Sequence, residues 1–194
     1  MSFIEKLLWK TFGMPSGVLG RLGGKVMSGR RQQAIAAHVA ELLAVRPGDR
    51  VLDIGFGPGI AIEVLCQRLA GDGLIVGIDP SDVMIAMARA RNIEALERGI
   101  VRLLEGTAEK IPSESEFFDK AYAMNSFHLW RDQVGGLREV HRVLKPGGRL
   151  ALSFYGPARR EIACEAVREQ LRQAGFRGVS DTERDAVIYL VGQK

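Results

Sequence analysis

Cysteine is nearly absent from this chain: Cys66 and Cys164 are the only two among 194 residues. They stand far apart, each inside a helical pattern, and no Cys-x-x-Cys pair occurs, so a disulfide scaffold and a structural zinc site are both excluded. Histidine is also sparse, at three, and no metal is expected. Long hydrophobic runs are missing too, which argues against a membrane-spanning helix. Near the start, Phe3, Ile4, Leu7 and Leu8 are interrupted by Glu5, Lys6 and Lys10, and no small-residue cleavage site follows, so no secretory signal is read. Two reduced, core-type thiols and no export signal lead to a cytoplasmic expectation.

A broad basic face is also lacking. The formal net charge is +4, and residues 1–31 hold six basic side chains against the single acid Glu5. The remaining 163 residues carry 21 basic and 22 acidic groups, so the body is close to neutral and a nucleic-acid partner is not expected. With 46% apolar and 26% charged residues, the composition is that of one globular domain with a substantial core.

Two regions separate at about residue 31. In residues 1–31 the apolar positions 4, 7, 8 and 12 fall on one helical face, and a glycine-rich stretch follows through Gly13, Gly17, Gly20, Gly23 and Gly24. Residues 32–194 alternate helix and strand. Helices are expected at 32–46, 60–70, 82–97, 132–144 and 158–174, with Val83, Met84, Met87 and Ala90 of the third facing inward. Strands are expected at 50–54, 74–78, 100–104, 117–124, 149–154, 176–181 and 186–191. The alternation predicts an α/β, doubly wound, Rossmann-like sheet of seven strands, mostly parallel and covered on both faces. The last two strands are too close in sequence for a crossover helix, so the last should run antiparallel.

Residues 51–59 read Val-Leu-Asp-Ile-Gly-Phe-Gly-Pro-Gly. A buried strand runs into a loop with glycines at 55, 57 and 59, and a helix starts at once, offering bare backbone and unpaired N–H groups to a ligand. Such a loop alone also serves as a simple turn. Asp79, 20 residues after Gly59, closes the next strand, where a carboxylate can accept both hydroxyls of a ribose. Ser81 is the better cap for the following helix, which leaves Asp79 for a ligand. A dinucleotide fingerprint would need its third glycine at position 60, where Ile60 stands; Asp53 is poor company for a pyrophosphate and suits an α-ammonium group.

These residues resemble the class I S-adenosylmethionine-dependent methyltransferases, particularly the branch that includes the quinone-biosynthesis enzymes, over residues 32 to about 155. The resemblance implies S-adenosylmethionine as cofactor, S-adenosylhomocysteine as product, and a methyl acceptor as second substrate. It assigns Asp53, Gly55, Phe56, Gly57 and Gly59 to the methionine part, Asp79 to the ribose, and Pro80 to the adenine. The segment 105–112, Glu-Gly-Thr-Ala-Glu-Lys-Ile-Pro, is similar to the family's Gly-Asp-Ala-Glu-x-Leu-Pro. It brings the Ala108 backbone to the adenine, with Thr107 replacing the usual acid as a hydrogen-bonding group. Asn125 joins the cofactor set at the end of the fourth strand.

Residues 125–130, Asn-Ser-Phe-His-Leu-Trp, resemble the family segment ending in His-His-Trp. His128 is therefore the candidate base or acceptor-orienting group, with loop-tying as its plainer role; His38 and His141 are expected on the surface or in packing. Phe56, Phe127, Trp130 and Tyr155 would form an apolar acceptor wall. Asn-Pro-Pro-Tyr, typical of amino-methylases, is absent after the fourth strand, and no loop cysteine is present, so a small organic acceptor is favoured. The fifth strand reaches the next helix through residues 155–157 alone, which leaves no inserted lid and makes residues 1–31 the available cover. A rival role for that basic arm is peripheral binding to an anionic membrane, which would imply a lipid or quinone acceptor. A cofactor-binding protein without turnover is the third possibility. Oligomeric state is not legible.

Overall fold

A computed structural model describes residues 29–194; the arm's first 28 residues lie outside it. The chain opens with α1 (Arg30–Leu43), so Arg30 and Arg31 belong to a helix of the body. It continues through β1 (Arg50–Ile54), α2 (Ile60–Leu69), β2 (Leu74–Asp79), α3 (Asp82–Arg91), α4 (Ile93–Glu97) and β3 (Val101–Glu105). After β4 (Phe118–Met124) come a 3-10 turn (Phe127–Leu129), α5 (Gln133–Val143) and β5 (Leu144–Phe154). The remainder is α6 (Pro157–Glu161), α7 (Cys164–Gln173), β6 (Arg177–Arg184) and β7 (Val187–Gln193).

The seven strands lie in the order β3-β2-β1-β4-β5-β7-β6. Pairing is parallel from β3 to β5 and antiparallel where β7 meets β5 and β6. The expected doubly wound sheet with an antiparallel last strand is thus present. Only Asp185 and Ala186 separate β6 from β7, and both have left-handed backbone (φ 52° and 58°), as a two-residue hairpin needs. Strand order reverses between β1 and β4, which opens a crevice beyond their carboxyl ends.

Each face of the sheet buries its own core. On one face, Ile35, Val39 and Leu43 of α1 and Ile62, Leu65 and Leu69 of α2 cover Val51, Tyr122 and Ala151. On the other, Leu137, Val140 and Val143 of α5 and Val167 and Leu171 of α7 cover Leu52, Leu150 and Leu152. Burying one Leu or Ile side chain contributes about 1.5–3 kcal/mol, so these faces hold the strands in register.

Two expected helices are broken. The segment 82–97 divides at Asn92, whose buried amide donates to the carbonyls of Gly59 (3.1 Å) and Ala88 (2.9 Å). A tertiary bond thereby wins over helix propagation. Ala90 is exposed rather than inward, and Met84 and Ala88 make the buried stripe. The segment 158–174 divides at residues 162–163, where Ile162 becomes extended (ψ 124°) and packs on the core under α5 and α7.

Candidate active site

The glycine loop is built by close approach. Gly59 has φ +79°, and a Cβ there would lie 2.6 Å from the Asn92 amide and 2.8 Å from the Ala88 methyl. A Cβ on Gly55 (φ +73°) would lie 2.6 Å from that of Ser126. No larger residue fits either position without moving the backbone. Ser126 in turn donates its hydroxyl to the Ile54 carbonyl (2.5 Å), and Arg91 donates from Nε to the Pro58 carbonyl (3.0 Å).

Asp79 stands at the end of β2 and is 6% exposed. Its Oδ2 accepts from the Gly57 N–H and its Oδ1 from the Ser81 N–H, both at 2.9 Å. The capping role expected of Ser81 is present, and Asp79 is held by these two backbone donors as well. Ser81 does cap α3, accepting from Met84 N–H at 3.3 Å, yet Asp79 also ties the glycine loop to that helix start. Burial raises the Asp79 pKa and the two N–H donors oppose it. Each oxygen keeps a lone pair for a further donor.

Asp53 lies on β1 in register with Gly77 of β2 and Tyr122 of β4. It is 1% exposed, and its Oδ2 accepts from the Tyr122 hydroxyl at 2.6 Å, while Oδ1 has no partner. Burial drives its pKa up to about 8, the Tyr122 bond opposes this, and the nearby Asp79 charge adds to it. Tyr122 was missed in the sequence; the signal was a tyrosine inside a strand that otherwise reads as core.

Phe56 departs from expectation. Its ring lies against Gly77, where a Cβ would come within 2.6 Å of it, so its side chain fills core and only its backbone belongs to the loop. Phe127 likewise leaves the acceptor wall: it is fully buried, edge-on to Trp130 and Phe154. Trp130 packs on Gly136 of α5 next to Ala108, and it is half-buried. Pro80 and Thr107 are exposed and Ala108 is buried. The Thr107 side chain lies beside Glu109 and helps to lower its pKa, which leaves the hydroxyl its acceptor lone pairs.

Asn125 follows β4 with φ 55°; its N–H donates to the Ser153 carbonyl (2.8 Å) and its Oδ1 accepts from Tyr155 N–H (3.0 Å). Those bonds join the ends of β4 and β5 and leave the amide NH2 for a ligand. His128, in the 3-10 turn beyond β4, is half-buried, with Nδ1 buried and unpartnered. Burial lowers its pKa and the Glu161 charge works the other way. His38 and His141 pack edge-on against Tyr189 and Phe176, as expected of packing residues. Cys66 and Cys164 are half-buried. No group of three or more potential metal ligands occurs among the described residues. A pocket of about 460 Å³ lies elsewhere, between Val76, Arg102, Leu104, Pro112 and Phe117, and includes none of these residues.

Against known proteins, residues 52–152 match the family model described as a methyltransferase domain. The chain belongs to the methyltransferase family. It is 33% identical over 133 residues to the uncharacterised methyltransferase YdaC of Bacillus subtilis, covering 69% of this chain and 70% of that one. It is 35% identical over 136 residues to 27-O-demethylrifamycin SV methyltransferase of Amycolatopsis mediterranei, covering 68% and 49%. With the ubiquinone/menaquinone biosynthesis C-methyltransferase UbiE of Ectopseudomonas mendocina it shares 34% over 133 residues, covering 68% and 52%. The methyltransferase thus spans about half the length of these last two. A solved S-adenosylmethionine-dependent methyltransferase of Aquifex aeolicus superposes with a TM-score of 0.78 at 24% identity, covering 87% of this chain and 95% of that one. This is an S-adenosylmethionine-dependent enzyme, and the residues fit that cofactor: a side-chain-free cradle, spare acceptor capacity on Asp79, and one bare buried carboxyl oxygen on Asp53.

Proposed function

We propose that the methyltransferase acts on a small organic acceptor held at the ends of β4 and β5, with His128 as base or orienting group. The observation that carries this reading is the half-buried His128, whose Nδ1 has no protein partner beside the switch crevice. Burial keeps the imidazole neutral, the form able to accept a proton. In the same reading the backbone of residues 55–59 runs along the cofactor's methionine part, and Asp79 accepts from the ribose hydroxyls. Pro80, Thr107 and Ala108 border the adenine, with the Asn125 amide near the sulfonium end. Bound S-adenosylmethionine supplies an electrophilic methyl: the acceptor–carbon bond forms as the sulfur–carbon bond breaks, and the electron pair stays on sulfur. The protein's task is then alignment, for which well-oriented placement supplies about 7–11 kcal/mol. A protic acceptor gives its proton to His128, and a carbon acceptor gives up the C–H proton of the methylated carbon in the same way; a tertiary-amine acceptor has no proton to lose and leaves His128 only the orienting role.

Measuring S-adenosylhomocysteine release over phenols, amines, thiols and quinones tests this. Turnover with one class, reduced by His128→Gln, supports it; cofactor binding without turnover across the panel leaves the silent binder.

A second reading places the acceptor in a membrane. Its support is the four basic residues against one acid in residues 1–28, and the place of Arg31 at the start of the body. Arg31 of α1 donates to the Asp185 carbonyl in the β6–β7 turn (3.4 Å), and its charge acts on Tyr155 just after β5. The described residues thus begin at the rim on which this reading seats the acceptor. Among the described residues, no helix is long and apolar enough to cross a membrane. Co-sedimentation with anionic vesicles, with and without residues 1–28, decides it; equal recovery removes this reading.

A further inference from the structure

Asp53 has two in-register neighbours, one on each side of β1. Gly77 offers no side chain, and the Phe56 ring fills the space above it. Tyr122 alone holds the carboxyl group, across the β1–β4 switch point, with a 2.6 Å bond to Oδ2. Were this pair there only for the fold, both carboxyl oxygens would be satisfied, because a bare buried one is costly. Oδ1 is instead left without a partner in a fully enclosed position. We propose that Tyr122 is a positioning residue for cofactor recognition: its hydroxyl clamps Oδ2 so that Oδ1 remains for the α-ammonium group of the cofactor's amino-acid end. This rests on the cofactor placement given above and adds to it a residue outside the glycine loop.

Neutral Asp53 is the form that burial favours before a cation arrives. An ammonium group beside Oδ1 ionises it, the proton leaves to solvent, and the Tyr122 hydroxyl then donates to a charged oxygen, a stronger bond than before. Tyr122→Phe removes that donor and almost no volume.

The test compares two ligands by calorimetry: S-adenosylhomocysteine, and 5′-methylthioadenosine, which has the nucleoside and sulfur but neither ammonium nor carboxylate. Tyr122→Phe should bind the first about tenfold more weakly, the worth of one charge-assisted hydrogen bond. It should bind the second within about twofold of the parent, a contrast that a general loss of structure would not give. Adding Tyr122→Phe to Asp53→Asn should cost nothing further with either ligand. Equal losses for both ligands, or none for either, overturn the proposal. A parent protein that binds neither ligand would instead overturn the cofactor placement itself.

Discussion

The two ends of the switch crevice are finished to different degrees. At the β1–β2 end, polar groups are tied within the chain: Gly57 and Ser81 to Asp79, Asn92 to Gly59, Arg91 to Pro58, with Asp53 Oδ1 the exception. At the β4–β5 end, His128 Nδ1, Ser153 Oγ and, on α6, Arg159 Nε are buried without partners. In the proposed reading the first end serves the cofactor, whose demands do not change with the acceptor, and the second end serves the acceptor. The second keeps groups in reserve, which is what an acceptor-specific surface requires. It follows that damage to one end should read out in cofactor affinity and damage to the other in turnover.

The largest separation is expected from His128→Gln with a protic acceptor: kcat falls about 10²–10⁴-fold, as for loss of a general base, while S-adenosylhomocysteine affinity measured by calorimetry changes less than about twofold. Next comes Gly59→Val, which forces a branched side chain against Asn92 and Ala88 at positive φ. It should abolish measurable cofactor binding and lower stability by about 2–4 kcal/mol in urea unfolding. Asn92→Ala removes two buried hydrogen bonds and should cost about 1–3 kcal/mol, with weaker cofactor binding and unchanged acceptor KM.

The last effect concerns pH. Asp53 is raised from 3.8 in the open chain to about 8 in the native state. Between these values the native protein holds a proton that the unfolded chain has lost, so this group's contribution to stability falls as pH rises through the window. Urea midpoints from pH 5 to 8 should therefore fall more steeply for the parent than for Asp53→Asn. Equal slopes would mean that Asp53 is ionised in the native state.

The difference between the ends also explains what could be read in the sequence. The β1 loop was legible because glycine spacing and strand hydrophobicity are local signals, and the antiparallel hairpin followed from a connection too short for a helix. The break at Asn92 was not legible, since it depends on a bond to Gly59, 33 residues away. The inward turns of Phe56 and Phe127 were hidden for a related reason: an aromatic at a strand end has the same composition whether it lines a cleft or fills a core. Tyr122 looked like one more core residue until its register with Asp53 was known. The segments 82–97 and 158–174 carry helical periodicity throughout, and only tertiary contacts cut them.

The most direct measurement is calorimetric titration of S-adenosylhomocysteine into the parent protein and Asp79→Ala, with thermal melting of both. One ligand should bind per parent chain, and the variant should bind about 10–100-fold more weakly while still folded, from two lost hydrogen bonds to a carboxylate. Undiminished binding by Asp79→Ala, or a parent that ignores S-adenosylhomocysteine and takes a dinucleotide, would contradict the placement of the adenosyl group at the end of β2.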